Sequence, residues 1–213
     1  SDVCSSDLTG KLKNQVTDGT WVAGPVVKID TLGRKFYFYG YGREKGVDPY
    51  YYMFYEASLD HPGKLRLLTP ENATHTVSVS PSHRYMVDTY STVSQVPVNV
   101  VRNRNGKVIM TLDKADMQPV YDLGWKAPER FKVKAADGVT DLYGVMWKPA
   151  DFDSTKVYPI ISNVYPGPFF EYVPTRFTIN DSYNTRLAQL GFIVITVGHR
   201  GGTPMRGKAY HTR

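Results

Sequence analysis

DGVTDLYGVMWKPADFDSTKVYPIISNVYPGP, residues 137–168, is where the chain changes character. It opens on Asp137-Gly138, a dipeptide that predicts a tight hairpin turn because both residues reach the left-handed backbone region at little cost. Residues 131–134 and 142–147 flank that turn as the two arms of a hairpin. Residues 158–164 then form an apolar run broken only by Ser162-Asn163, which predicts a strand buried on both faces of a mostly parallel sheet. The run ends at Tyr165-Pro166-Gly167-Pro168, where proline removes the backbone donors a strand needs.

Downstream, Asp181 or Ser182 is placed to cap a helix running through Arg186, Leu187, Ala188 and Leu190, and Gly191 is placed to stop it. Residues 192–197 form the next apolar strand. Strand, helix and strand in that order make a βαβ unit, so an α/β layer is expected to begin here. The domain boundary is expected between residues 124 and 131.

Upstream the pattern is all β. A Gly-Lys-apolar signal recurs at Gly10, Gly63 and Gly106, spaced by 53 and 43 residues, which suits repeated four-stranded units. Between these marks, residues 21–29, 35–41, 51–59 and 64–69 read as one set of strands, and 75–80, 85–90, 98–102 and 108–112 as the next. Leu32-Gly33-Arg34, Asp60-His61-Pro62-Gly63, Ser80-Pro81-Ser82 and Asn103-Arg104-Asn105-Gly106 supply the turns. Two nearly complete propeller blades and the tail of a third are expected, with a β-sandwich as the other architecture of short, evenly spaced strands. The aromatic runs at 37–42 and 50–55 fit packing between sheets, with a ligand-stacking surface as the alternative.

Composition narrows the function classes. With 41% hydrophobic and 22% charged residues the chain has the makings of a globular core, and its 16 Tyr and nine Phe favour strands. The formal charge of +6 comes from Lys and Arg scattered singly, which does not predict nucleic-acid binding. Cys4 is the one cysteine, and the five histidines lack metal-ligand spacing, so neither a disulfide framework nor a metal or other cofactor is implied. No apolar run approaches the roughly 18 residues that cross a bilayer.

The first eight residues, SDVCSSDL, resemble the translation of a common sequencing-library adapter and are set aside from the fold as non-native. His211-Thr212-Arg213 follows a glycine-rich loop with no closing element, so the sequence is expected to stop inside a domain. The expected organisation is thus an adapter-like leader over 1–8, the last propeller blades over 9–126 and the start of an α/β domain over 127–213.

An all-β repeat joined to an α/β domain through residues 137–168 resembles the prolyl oligopeptidase family, and within it the dipeptidyl peptidase IV branch. The resemblance rests jointly on Lys148-Pro149 followed by Tyr158-Pro159, on Val164-Tyr165-Pro166-Gly167-Pro168, and on GFIVITVGHRGG at 191–202. It implies a β-propeller capping an α/β-hydrolase domain whose Ser, Asp and His cleave short peptides. It also implies that Tyr165 donates a hydrogen bond to the oxyanion of the tetrahedral intermediate, and that Arg200 supports the site from the loop after an early strand. Short peptides are the implied substrates, a homodimer the implied assembly of the whole protein, and the periplasm or the exterior the implied location.

Two features depart from the family pattern. Gly198-His199-Arg200-Gly201-Gly202 imitates the nucleophile elbow G-x-S-x-G, but arginine stands where serine is required, and no G-x-S-x-G occurs in the chain. The triad is therefore expected beyond this sequence, leaving the chain alone inactive. Glu44 and Glu56 are not adjacent and do not match the glutamate pair that holds the substrate ammonium in aminopeptidase members. A non-catalytic propeller scaffold and an α/β-hydrolase acting on esters are the alternatives.

Overall fold

The computed structural model of the chain describes residues 4–6, 8–165, 167–181 and 183–212. They form two compact units: one from residues up to 90 with 98–114 and 205–209, the other from 91–97, 115–204 and 210 onward.

The first unit is β throughout its sheets. A short hairpin pairs β1 (Cys4–Ser6) with β2 (Leu12–Gln15). A four-stranded antiparallel meander follows, β3 (Val22–Asp30), β4 (Lys35–Tyr41), β5 (Met53–Ser58) and β6 (Leu65–Leu67), hydrogen-bonded in chain order. A second meander repeats the plan with β7 (Thr74–Val79), β8 (Tyr85–Ser91), β9 (Val98–Asn103) and β10 (Val108–Lys114).

The recurring Gly-Lys-apolar signal marks one structural position, the turn into the last strand of each sheet. Gly10, Gly63 and Gly106 all take positive φ, at 84°, 75° and 85°, immediately before β2, β6 and β10. Gly106 is further constrained, since a Cβ there would lie 2.5 Å from the Leu68 carbonyl oxygen.

Alternation explains why β4 and β5 carry so few polar residues. Phe36 and Phe38 of β4 pack with Met53, Tyr55 and Ala57 of β5 on one face of the first meander. Tyr37 and Phe54 point the other way and pack with Leu68, Val77 and Met86, the last two from the second meander. A strand covered on both faces reads as a continuous apolar run, and each fully buried phenylalanine contributes about 1.5–3 kcal/mol. The aromatic runs are therefore mostly core: Tyr41, Tyr50 and Tyr51 are buried too, with Tyr39 and Tyr52 half-buried. Pro25 falls where the β3–β4 register slips, between Ala23 and Val26, on an edge strand that tolerates a missing donor.

Glu44 and Glu56, the glutamates weighed as an ammonium-binding pair, are both occupied. Glu56, the one charge on β5, receives Lys35 Nζ at 3.1 Å and Arg66 Nη2 at 3.0 Å. Glu44 accepts from Arg43 at 2.7 Å and from the Tyr55 hydroxyl at 3.0 Å.

The second unit holds a mixed sheet in the order β11 (Glu129–Lys134), β12 (Asp141–Trp147), β14 (Ile193–Val197) and β13 (Ile160–Ser162). β11 and β12 form the hairpin around Asp137-Gly138, β12 pairs antiparallel with β14, and β13 pairs parallel with β14. Helix α1 (Gln118–Asp122) precedes the hairpin, and α2 (Asn184–Gln189) connects β13 to β14. Val93, Val145, Trp147, Ala188 and Val194 form the core, so α2 packs through Ala188 onto β12 and β14.

Two expectations are corrected here. The strand expected over 158–164 is only Ile160–Ser162, and it is not buried on both faces, because Ile160 is 63% exposed. Pro159 has no N–H to start the ladder earlier, and β13 lies at the margin of the sheet with β14 as its one neighbour. Asp181 does not cap α2 either. The N-cap position is Tyr183 without a side-chain hydrogen bond, because the Asp181 carboxylate is taken by the Tyr172 hydroxyl at 2.5 Å and Asn184 Nδ2 at 3.2 Å. Ser182, the other candidate cap, and Pro166 lie outside the described residues. Gly191 does end the helix region, with φ of 94° and its N–H donated to Ala188 at 3.0 Å.

Candidate active site

Tyr165 stands three residues past the end of β13, where the chain leaves the sheet, ahead of a bend at Pro168 and Phe169. It is 61% exposed. Its ring meets Phe170 edge-on at 5.3 Å. Its hydroxyl makes no hydrogen bond among the described residues, so the donor is available to a ligand.

The segment carrying Tyr165 is fixed at both ends. At its start, Asn163 donates its backbone N–H to Ile195 at 2.8 Å and its side-chain Nδ2 to the buried Asn184 Oδ1 at 2.8 Å. At its end, Glu171 turns inward, with its side chain only 1% exposed. Glu171 Oε1 accepts the backbone N–H of His199 at 2.5 Å and the Tyr210 hydroxyl at 2.7 Å. A buried carboxylate is tolerated only when such donors replace its water. The packing around it is close: a Cβ on Gly202 would come within 2.3 Å of Glu171 Cγ.

Arg200 lies on the same 198–202 loop but reaches elsewhere. Its Nη1 donates to Asp137 Oδ2 at 2.8 Å, tying the loop to the β11–β12 turn rather than touching Tyr165. The hydroxyl and backbone N–H of Thr140, then the N–H of Val139 and, more weakly, Arg200, hold the Asp137 carboxyl well below the usual carboxylate range. After this loop come a one-turn 3-10 helix (Pro204–Arg206) and the four-residue α3 (Lys208–His211), too short for the long helix that follows a nucleophile elbow.

Sequence reasoning missed Glu171, Tyr210 and the Asn163–Asn184 pair. One signal was present: Glu171 is the single charged residue between Lys156 and Arg176, and a lone carboxylate among aromatics and prolines marks a buried, hydrogen-bonded group.

A second polar cluster sits in the first unit. Glu71, His75 and Asp88 bring potential metal-ligating atoms within 4.8 Å of one another. The buried guanidinium of Arg102 lies among them, with Nη2 2.6 Å from Glu71 Oε2 and Nε 2.9 Å from Asp88 Oδ2. His75 places Nδ1 3.0 Å from Asp88 and Nε2 3.1 Å from the Glu71 carbonyl. The cation balancing these carboxylates is therefore Arg102, and the cluster is a cross-strand brace joining β7, β8 and β9.

Comparison with known proteins agrees with this architecture. Residues 2–97 match the family described as the dipeptidyl peptidase IV (DPP IV) N-terminal region. Human dipeptidyl peptidase 8 is 27% identical over 214 residues, covering 92% of this chain and 23% of that protein. The crystal structure of Porphyromonas gingivalis dipeptidyl peptidase 4 superposes with a TM-score of 0.77 at 22% identity, over 96% of this chain and 28% of that one. A Bacteroides ovatus protein described as a dipeptidyl aminopeptidase IV gives 0.76 at 28% identity, over 99% of this chain and 30% of that one. The chain thus spans under a third of the length of these relatives, and its repeated antiparallel sheets correspond to their propeller region. On these grounds the chain is similar to dipeptidyl peptidases of the DPP IV type, with the family match confined to residues 2–97.

Proposed function

We propose that the whole protein is a serine-type peptidase that hydrolyses short peptides in the manner of a dipeptidyl peptidase, with Tyr165 as a donor to the oxyanion. The observation that carries this is the exposed Tyr165, its hydroxyl free of hydrogen bonds among the described residues, just past the end of a strand in a segment held on either side by Asn163 and Glu171. Negative charge develops on the carbonyl oxygen only as the nucleophile adds, so a donor already in position lowers the barrier without tightening substrate binding.

In this scheme the sheet of β11–β14 opens an α/β-hydrolase domain, a view supported by the parallel β13–α2–β14 unit. The serine, aspartate and histidine of the triad come from sequence outside this chain. Arg200 acts at a distance, bracing the 198–202 loop against the hairpin turn through Asp137.

Tyr165→Phe in the full-length protein tests the assignment. Loss of one oxyanion donor lowers kcat by about 10²–10³-fold, with KM for a short peptide little changed. Unchanged kcat would remove Tyr165 from the mechanism, and a full-length protein with no peptide hydrolysis at all would favour a binding scaffold.

A further inference from the structure

We infer that Glu171 is a positioning residue that holds Tyr165 in place for catalysis. The inference rests on the reading of Tyr165 as an oxyanion donor and goes beyond it by identifying what keeps that donor fixed. Val164, Tyr165, Pro168, Phe169 and Phe170 are all exposed, and Glu171 is the first buried residue after them. Upstream, Asn163 anchors only the start of this stretch, so its far end depends on Glu171.

Glu171 reaches Tyr165 through one intermediary. It is bonded to Phe170, whose ring lies against the Tyr165 ring at 5.3 Å. The carboxylate itself is held by the His199 backbone and by Tyr210, two groups from a different stretch of chain. Where Glu171 is pinned, Phe170 is pinned, and the Tyr165 ring has a fixed wall. Gly202 permits the approach, because any side chain there would occupy the space of Glu171 Cγ. The buried carboxylate therefore converts a solvent-facing loop into a preorganised one, which is what an oxyanion donor requires.

The test is a double-mutant cycle in the full-length peptidase, reading kcat and KM on a short chromogenic peptide. Glu171→Ala is expected to lower kcat by about 10–100-fold, in line with the cost of an ångström-scale misplacement, and to leave KM nearly unchanged. In a Tyr165→Phe background the same substitution is expected to cost less than about threefold, because the group it positions is already gone. Glu171→Gln is expected to restore most of kcat, since its amide oxygen accepts the same two hydrogen bonds.

Equal losses in both backgrounds would overturn the inference by showing a general structural role, and so would unchanged kcat in Glu171→Ala. If Tyr165→Phe alone leaves kcat unchanged, it is the oxyanion assignment that fails. Should Glu171→Ala not fold, Tyr210→Phe removes one donor to the carboxylate and enters the same cycle. A severalfold kcat loss that vanishes beside Tyr165→Phe supports the inference, and an additive loss contradicts it.

Discussion

Arg102 Nε lies 2.9 Å from Asp88 Oδ2, with the Arg102 side chain 1% and the Asp88 side chain 0% exposed. The pair joins β8 to β9 from the inside and extends to His75 on β7 and to Glu71. Removing the cation strands two carboxylates, one of them fully buried. Arg102→Ala is expected to destabilise the chain by about 3–5 kcal/mol, the usual cost of breaking a buried pair from one side. Urea unfolding monitored by tryptophan fluorescence checks this, and a loss under about 1 kcal/mol would show that water relieves the site.

Gly63 and Gly106 occupy equivalent turns with similar φ, but only Gly106 is crowded, against the Leu68 backbone. Gly63→Ala is expected to cost about 1–2 kcal/mol, the price of a left-handed alanine. Gly106→Ala adds an overpacking term of about 1–3 kcal/mol. Thermal melts of the two variants side by side give the comparison, and equal shifts would contradict it.

Gly202→Ala forces its new methyl onto Glu171. Unlike a surface glycine, it is expected to lower the melting temperature and also to expose the His199 amide to faster hydrogen exchange, because relief comes by displacing the carboxylate that accepts it. An unchanged His199 exchange rate would place the strain elsewhere.

Alkaline pH provides a fourth test. Burial, followed by the carboxylates of Glu56 and Asp30, pushes the Tyr37 phenol up to about 12, from an ordinary value of about 10. A raised folded-state pKa means that the unfolded chain loses this proton first, so the stability tied to it is intact below pH 10 and lost as pH rises from 10 through 12. Tyr55 and Tyr172 are raised as well, chiefly by burial. Tyr37→Phe is expected to flatten part of the decline in melting temperature over this range, and a slope identical to that of the parent chain would count against the assignment.

How far the sequence could be read depended on the range of the interactions involved. β4 was legible to the residue, and the other strands of the two meanders to within one or two, because alternation along a strand and glycine at a turn are local signals. The run at 158–164 misled because apolar character reports burial only if a neighbour lies on each side, and Pro159 and the single partner β14 leave Ile160 exposed. The candidate site was less legible still. Tyr165 and Arg200 were reached through family resemblance, not through periodicity. Glu171 depends on His199 and Tyr210, and the brace of Arg102 depends on residues from two neighbouring strands and a preceding loop. No spacing rule within one element encodes such partners.

The most direct test of the central claim is to treat the full-length protein with a fluorophosphonate probe, with and without excess short peptide substrate. A serine peptidase is expected to take up one probe per active site and to be protected by the peptide. A folded full-length protein that stays unlabelled would contradict the account and leave the propeller as a binding module.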